Sequence, residues 1–217
     1  VDEGLVFLGP TPEQMVAFGL KHKARALAEA AHVPLLPGTG LLSSLDEALA
    51  EAARIGYPVM LKASMGGGGK GMRLIHSAEE VEEAYTTAKS ESLSSFGDDT
   101  VYLEKFVEEP HHIEFQILGD NFGNAVHLFE RECSIQRRNQ KLIEIAPSPQ
   151  LTPEQRAYIG ELSVRAAKAV GYENAGTIEF LLDKDKNFYF MEMNTRLQVE
   201  HCVSEMVSGI DRSEEHT

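Results

Sequence analysis

Four successive glycines lie in the segment Ser64-Met-Gly-Gly-Gly-Gly-Lys-Gly71, between two runs of strand character. Such a run costs conformational entropy and gives a core nothing to bury, but it lets backbone N–H groups approach an anion closely. Lys62, on the preceding strand, could reach the oxygens of a phosphate held there. No helix beginning with Lys-Ser or Lys-Thr follows, so this is not a Walker motif. The loop predicts phosphate binding, and a flexible hairpin tip is the alternative.

Two acidic residues occupy neighbouring apolar strands, Glu179 in Thr-Ile-Glu-Phe-Leu and Glu192 in Phe-Met-Glu-Met. A buried carboxylate without a partner is costly. A hairpin joining the two strands could place both carboxylates on one face. Together with the amide oxygen of Asn194 they would form a hard-oxygen site suited to Mg²⁺ bound with phosphate. The alternative is ion pairing with buried arginine or lysine.

Basic residues are concentrated in the segment Cys133–Lys141 of an otherwise acidic chain. Further along, Arg196, Gln198 and Glu200 alternate, so they would share one face of an extended segment. Two cations, Lys141 and Arg196, beside the acid Glu200 suit the binding and deprotonation of a small oxyanion. Each basic stretch by itself could equally be a solvated surface.

Capping motifs and apolar runs predict the elements that position these side chains. Thr11-Pro-Glu-Gln14 and Thr152-Pro-Glu-Gln155 are both helix starts. The predicted helices cover residues 12–31, 45–55, 77–90 and 152–170. The predicted strands cover residues 58–62, 71–76, 101–106, 112–118, 125–130, 177–182 and 188–193. Because the strands are grouped as hairpins, we expect an α+β fold with largely antiparallel sheets, in which residues 35–105 form a separable module.

The composition excludes several classes of protein. Among 217 residues, 20 are Lys or Arg and 34 are Asp or Glu, which gives a net charge of -14. Such a balance argues against a nucleic-acid-binding surface and against docking on an anionic membrane. The sequence has no apolar window long enough to predict a transmembrane helix. Two cysteines make no disulfide framework, so we expect a reducing, cytoplasmic location.

Taken together, these motifs resemble the ATP-grasp core of biotin carboxylases over residues 7–211. The resemblance rests on Phe7-Leu-Gly-Pro10, Gly66-Gly-Gly-Gly-Lys-Gly-Met-Arg73, Glu104-Lys-Phe106, His111-His-Ile-Glu114, Glu130-Arg-Glu-Cys-Ser-Ile-Gln-Arg-Arg138, Gly176-Thr-Ile-Glu-Phe180 and Glu192-Met-Asn-Thr-Arg-Leu-Gln-Val-Glu-His201. It implies an ATP-grasp fold with a small lid subdomain, at about 35–105, over a larger, mostly antiparallel sheet. Residues 1–10 would then end a preceding domain, 11–211 would form the ATP-grasp domain, and 212–217 would be a foreign tail.

The chemistry that the resemblance implies is that of an ATP-dependent ligase. ATP phosphorylates bicarbonate to carboxyphosphate, and the carboxyl group then passes to a ureido nitrogen of biotin on a carrier domain. The implied cofactors are ATP, Mg²⁺ (or Mn²⁺) and biotin. The implied partners are a biotin carboxyl carrier domain and a carboxyltransferase component, with a homo-oligomer at full length. We expect this fragment, being truncated at both ends, to be inactive in isolation.

The resemblance also assigns residues, with all of the functional cations expected around one cleft. The implied ATP-binding residues are Lys21, Lys62, Gly66, Gly67, Gly68, Gly69, Glu104, Lys105, Val107, His112 and Gln136. The implied metal ligands are Glu179, Glu192 and Asn194. Bicarbonate would be bound by Lys141, Arg196, Gln198, Val199 and Glu200, and the catalytic residues would be Lys141, Arg196 and Glu200, with Glu200 as the base.

Two positions depart from the pattern of that family. Asn139 stands where many members carry histidine, and Cys202 stands where proline is usual. Two other functions remain open: a nucleotide-binding module without turnover, and a ligase similar to carbamoyl-phosphate synthetase. The segment Ser134–Lys141 favours biotin chemistry over the second of these.

Overall fold

A computed structural model describes Gly4, Phe7 and residues 9–65 and 71–210. The helices are α1 (Pro12–Gly19), α2 (Lys21–Ala30), α3 (Leu45–Ile55), α4 (Val81–Phe96), α5 (Pro153–Lys168) and α6 (His201–Ser208). The strands are β1 (Val59–Ala63), β2 (Met72–Ile75), β3 (Val101–Lys105), β4 (His111–Gly119), β5 (Ala125–Arg137), β6 (Gln140–Ile145), β7 (Asn174–Leu182) and β8 (Phe188–Asn194). The predicted α+β class is confirmed. Residues 1–10, which we expect to end a preceding domain, are described only at Gly4, Phe7, Gly9 and Pro10, and the glycines at 66–69 and the predicted foreign tail lie outside the described residues.

The larger sheet has five antiparallel strands in the order β6-β5-β4-β7-β8. One face is apolar because alternate residues of the central strands, such as Phe115 on β4 and Phe180 on β7, enter the main core. These two rings meet edge to face, with centroids 6.2 Å apart. Since successive side chains of a strand point to opposite faces, the neighbours of these core residues along β4 and β7, including Glu114 and Glu179, lie on the other face of the sheet.

The smaller sheet has the order β2-β1-β3 and packs with α3 and α4 around a core of its own, which includes Val59, Leu61 and Leu103. Strands β1 and β2 form the predicted hairpin, with Val59 opposite Ile75. The alternation places Lys62 and Glu104 on the face away from that core. The predicted boundaries of a lid subdomain, 35 and 105, stay a prediction.

Three elements differ from the predictions. The helix predicted over 12–31 is broken at Leu20, whose backbone is extended (φ -100°, ψ 115°), so that Lys21 begins a second helix. The strand predicted over 125–130 continues to Arg137 and returns as β6. Arg138 and Asn139 connect the two strands with φ values of 54° and 61°. Two-residue hairpins favour such a turn, and Asn adopts positive φ readily, which gives Asn139 a local structural role.

The prediction that residues 196–200 form an extended segment is wrong. Strand β8 ends at Asn194, and Glu200 is the N-cap of α6 with φ -75° and ψ 4°. Consequently Arg196 and Glu200 do not share the face of a strand. Within the described part of the chain, none of the helices has the length and apolar character needed to span a membrane.

Candidate active site

Three carboxylates lie in a row across the polar face of the large sheet. Glu114 on β4 is directly opposite Glu179 on β7, which is directly opposite Glu192 on β8. Like charges in opposite positions repel each other, and burying them adds a desolvation cost. The row therefore requires cations beside it, and Lys141, Arg131 and Lys21 provide them.

Lys141 on β6 contributes the central cation. Its Nζ donates hydrogen bonds to Glu179 Oε1 (3.0 Å), to Glu200 Oε1 (2.7 Å) and to Glu114. Burial lowers the pKa of Lys141, but the negative charges of Glu179 and Glu114 outweigh burial and raise that pKa above its ordinary value. The ammonium group is thus held charged among three acids.

Glu179 is the most densely bonded acid of the row. Besides Lys141, it accepts hydrogen bonds from Asn194 Nδ2 (2.8 Å) and Gln198 Nε2 (3.3 Å). His112 Nε2 lies 2.8 Å from Glu179 Oε2, an ion-pair distance without the alignment of a hydrogen bond. Burial raises the pKa of Glu179, but His112 and Lys141 together lower it below its ordinary value. Glu179 is therefore ionised at neutral pH.

Gln136 orients the imidazole of His112. Gln136 Nε2 lies 2.8 Å from the carbonyl oxygen of Cys133 and 2.8 Å from His112 Nδ1. Because an amide nitrogen only donates, Nδ1 is the acceptor, and in the neutral ring Nε2 then carries the proton toward Glu179. The structure thus brings together two residues that the resemblance places near a nucleotide, and it connects both to the acidic row.

Arg131 on β5 is directly opposite Glu114, at the β5 end of the row, and is fully buried. Its guanidinium donates to Glu114 Oε1 (2.5 Å), and to Gln116, Thr177, Gln198 and Ser204 at 2.8–3.4 Å. Sequence reasoning missed both Arg131 and Glu114. The available signal was the charged triplet Glu130–Glu132 inside a strand, together with the alternation of β4, which places Glu114 on the same face as His112 and Gln116.

The predicted metal ligands provide the donor atoms that Mg²⁺ prefers. Glu179 and Glu192 are cross-strand neighbours, and Asn194 follows Glu192 by two residues on the same strand face. Asn194 bonds to Glu179 through its amide nitrogen, which leaves the carbonyl oxygen available as a hard ligand. Glu192 pairs with Lys21, with Oε2 and Nζ 2.9 Å apart. The three residues fit a magnesium ion, and the ion pairs that were the alternative are present as well.

A second buried ion cluster lies on the small sheet. Glu104 binds Lys62 with one carboxylate oxygen and Arg25 with the other. Burial raises the pKa of Glu104, but Lys62 and Arg25 lower it below its ordinary value. Because Arg25 belongs to α2, this cluster connects the helix that begins at Lys21 to the strand that carries Lys62.

Lys105 does not join Lys62. Its Nζ donates to the carbonyl oxygens of Gly56 (2.8 Å) and Tyr57 (3.0 Å), on the core face of the small sheet. The expectation that all functional cations surround one cleft is therefore wrong for Lys105. Val107, just beyond β3, is half-buried.

The predicted bicarbonate residues are divided between two places. Gln198 is buried against Glu179 and Arg131, and Glu200 contacts Lys141. Val199 is 92% exposed. Arg196 is exposed and borders a cavity of about 540 Å³ whose lining also includes Lys21, Glu192 and Asn194. Burial raises the pKa of Glu200, but its contact with Lys141 lowers that pKa below the ordinary value.

Comparisons with known proteins identify the family of the chain. The family model described as carbamoyl-phosphate synthase L chain, ATP binding domain, matches residues 21–216. The chain is 55% identical over 215 residues to the chloroplastic biotin carboxylase 2 of Populus trichocarpa, covering 99% of this chain and 41% of that protein. The chain spans less than half the length of this relative.

Two solved structures are similar throughout the chain. A biotin carboxylase complex with β,γ-ATP from Campylobacter jejuni matches with a TM-score of 0.96 and 51% identity, covering 99% of this chain and 48% of that chain. The biotin carboxylase domain dimer of Hydrogenobacter thermophilus 2-oxoglutarate carboxylase, in complex with MgADP, ADP and bicarbonate, matches with a TM-score of 0.94 and 52% identity, covering 97% of this chain and 47% of that chain. The predicted ATP-grasp architecture is thereby confirmed.

Proposed function

This chain belongs to the family of carbamoyl-phosphate synthase L chain ATP-binding domains, within which it is of the biotin carboxylase type, and we propose that it serves ATP-dependent carboxylation of carrier-bound biotin. A bicarbonate oxygen attacks the γ-phosphorus of ATP, and the bond to ADP breaks to leave carboxyphosphate. The carboxyl carbon then bonds to a ureido nitrogen of biotin, which loses its proton as phosphate departs.

The observation that carries this proposal is the contact between Lys141 and Glu200. A fixed ammonium attracts a small oxyanion, and a neighbouring carboxylate can take its proton. While Lys141 is its partner, Glu200 has a lowered pKa and is a weak base. A bicarbonate ion bound to Lys141 would compete for the ammonium, so the pKa of Glu200 would rise when the substrate arrives.

We propose that two lysines, each now paired with a glutamate, bind the phosphates of the nucleotide. Lys21 pairs with Glu192 and Lys62 pairs with Glu104, so each could exchange its carboxylate for a phosphate oxygen. The loop 66–69, Glu104, Val107, His112 and Gln136 complete the proposed ATP site. Lys105 would bring its ammonium to this site only by releasing the two carbonyl oxygens that it now binds.

Glu179, Glu192 and Asn194 would hold Mg²⁺ or Mn²⁺, and the ion would neutralise charge on the phosphate oxygens. Lys21 could then leave Glu192 to the metal and turn to the nucleotide. Around this site we propose that Gln198 keeps Glu179 oriented, since it bridges Glu179 and Arg131. Arg196 and Val199 complete the proposed bicarbonate site beside Lys141 and Glu200.

The activity of a whole enzyme reaches beyond this chain, which spans 41–48% of these relatives. We propose a biotin carboxyl carrier domain and a carboxyltransferase component as partners, assembly into a homo-oligomer, and a cytoplasmic location. Residues 35–105 would close as a lid over ATP. Closure would exclude water and protect carboxyphosphate from hydrolysis.

The test separates binding from turnover. ATP binding is measured on the chain itself by calorimetry. ADP release is measured on the chain and on a chimera in which it replaces the matching segment of a biotin carboxylase relative. We expect ATP binding by the isolated chain, and ADP release by the chimera that requires bicarbonate and rises with free biotin. Binding without turnover in the chimera would favour a nucleotide-binding module. ADP release that requires bicarbonate but does not change with biotin would favour a ligase of the carbamoyl-phosphate synthetase type.

A further inference from the structure

Helix α6 carries three potential metal ligands next to one another at its start. His201 Nδ1 lies 3.3 Å from Glu205 Oε1, and Cys202 Sγ lies 3.6 Å from His201 Nε2 and 3.9 Å from His201 Nδ1. One donor atom from each residue lies within 4.8 Å of the other two. Among the described residues, the other such group is His112, Glu114 and Glu179, which belongs to the site above.

The distances are close to those between ligands that share a small tetrahedral ion. With bonds of about 2.0–2.3 Å, tetrahedral angles place two zinc ligands about 3.3–3.6 Å apart. An ion bound by Nδ1 of His201 would use the separations of 3.3 Å to Glu205 Oε1 and 3.9 Å to Cys202 Sγ, and the second would have to shorten by about 0.3 Å. Spacing i, i+4 on a helix brings His201 and Glu205 onto one face, and Cys202 Sγ lies beside the same imidazole from the next position.

We propose that His201, Cys202 and Glu205 form a site for a borderline-soft divalent cation of the zinc class. A thiolate, an imidazole and a carboxylate are ligands that zinc takes together, whereas Mg²⁺ and Ca²⁺ prefer oxygen alone. Cys202 is exposed, so an ion can enter, and three protein ligands leave a fourth position for water.

The site differs in chemistry from the proposed Mg²⁺ site of Glu179, Glu192 and Asn194, whose ligands are all hard oxygen atoms. It depends on Cys202, the residue that replaces the usual proline of the resembling family, so it is a property of this chain and not of that family's reaction. The competing explanation is an ordinary i, i+4 His–Glu pair with a thiol beside it that binds no metal. The two explanations differ in whether the sulfur bonds to an ion.

Cobalt(II) replaces zinc in tetrahedral sites and reports sulfur ligation by an intense near-ultraviolet absorption band. The full chain, reduced and free of metal, is titrated with Co²⁺ and then with Zn²⁺. We expect the band to appear with one equivalent of Co²⁺ and to vanish when Zn²⁺ is added, and a large excess of Mg²⁺ should leave it unchanged. This binding assay requires no turnover, so its outcome is independent of the proposed carboxylation.

Variants assign the band to its ligands. Cys202→Ser should abolish the band. Cys202→Pro should also abolish it, and the first turn of a helix tolerates proline. Cys133→Ser, which removes the buried thiol, is the matched control and should keep the band. Glu205→Gln should weaken Co²⁺ binding at least about tenfold, since even the outer partners of metal ligands have effects of that size. Absence of the band in the unmodified chain, its survival in Cys202→Ser, its loss to Mg²⁺, or unchanged affinity in Glu205→Gln would each overturn the site.

Discussion

Lys141 Nζ and Glu200 Oε1 lie 2.7 Å apart although 59 residues separate them in the sequence. The hairpin β5–β6 brings the lysine over the large sheet, and the turn before α6 brings the glutamate to meet it. Glu114 and Glu179 accept further hydrogen bonds from the same ammonium. The three partners of this lysine therefore come from three different elements, β4, β7 and the N-cap of α6, so two of them would still hold it if an anion displaced the third.

The role of Glu200 is tested by Glu200→Gln in the chimera described above. The amide keeps the shape and can still accept a hydrogen bond from Lys141, but it cannot take a proton. We expect bicarbonate-dependent ADP release to fall about 10²-fold or more, the usual range for a general base, while the Kd for ATP stays unchanged. Glu161→Gln, on the exposed face of α5, is the control. Unaltered turnover in Glu200→Gln would exclude it as the base.

Lys141→Ala separates anion binding from proton transfer. Removing the ammonium leaves Glu114, Glu179 and Glu200 without their shared partner, so bicarbonate would meet uncompensated negative charge. We expect the bicarbonate concentration at half-maximal turnover to rise at least about tenfold, equivalent to about 1.4 kcal/mol of binding. Steady-state kinetics with bicarbonate varied at saturating ATP measure it. A variant with the normal bicarbonate requirement would remove Lys141 from the proposed pocket.

Local patterns in the sequence predicted much of this fold. The capping boxes at Thr11 and Thr152 are present, with each threonine accepting from the backbone N–H of a glutamine. The break after α1 was missed although Gly19 gave the usual signal of a helix end. Strand alternation placed Glu179 and Glu192 correctly as neighbours on one face.

What the sequence could not predict was the set of long-range partners. Strand alternation predicts one shared face for Arg196 and Glu200, but the strand ends at Asn194 and the alternation does not continue to these residues. The partners of Arg131 come from positions as distant as Ser204, 73 residues away. No local period encodes such a contact, because it depends on how strands from different hairpins align.

Arg131 should be among the least replaceable residues for stability. Arg131→Leu would remove the guanidinium that pairs with the buried Glu114. It would also leave the other hydrogen-bond partners of Arg131 without their donor. We expect a loss of about 3–5 kcal/mol in the free energy of unfolding, as for other broken buried pairs, measured by urea denaturation. Arg54→Ala is the control, because the Arg54–Glu51 pair is on the surface, where ion pairs contribute little to stability. Similar losses in the two variants would show that the Arg131 network adds no stability.

Two glycines give an opposed pair of predictions. A Cβ added at Gly119 would lie 2.1 Å from the carbonyl oxygen of Tyr172, whereas one added at Gly19 would meet nothing within 4 Å. We expect Gly119→Ala to destabilise by about 1–3 kcal/mol, since the backbone must move. Gly19→Ala, at the end of α1, should be neutral or stabilise by up to about 1 kcal/mol. Thermal unfolding of both variants measures the contrast, and equal shifts would contradict the close approach at Gly119.

Acid should destabilise the protein through its buried carboxylates. Glu104, Glu179 and Glu200 all have folded-state pKa values below the ordinary value of 4.5. A depressed pKa means that the folded state releases protons more readily than the unfolded one. Their stabilisation is thus complete above pH 4.5 and is lost as the pH falls through the lower folded values.

Glu104→Gln isolates one of these contributions. At pH 7 it should lower the free energy of unfolding by about 3–5 kcal/mol, since Lys62 and Arg25 lose the charge between them. Below pH 4.5 the difference from the unmodified chain should narrow, because acid protonates Glu104 itself. Urea midpoints measured from pH 7 to pH 3 follow this convergence, with Glu82→Gln on the exposed side of α4 as the control. A difference that stayed constant down to pH 3 would show that Glu104 is not held ionised by its two cations.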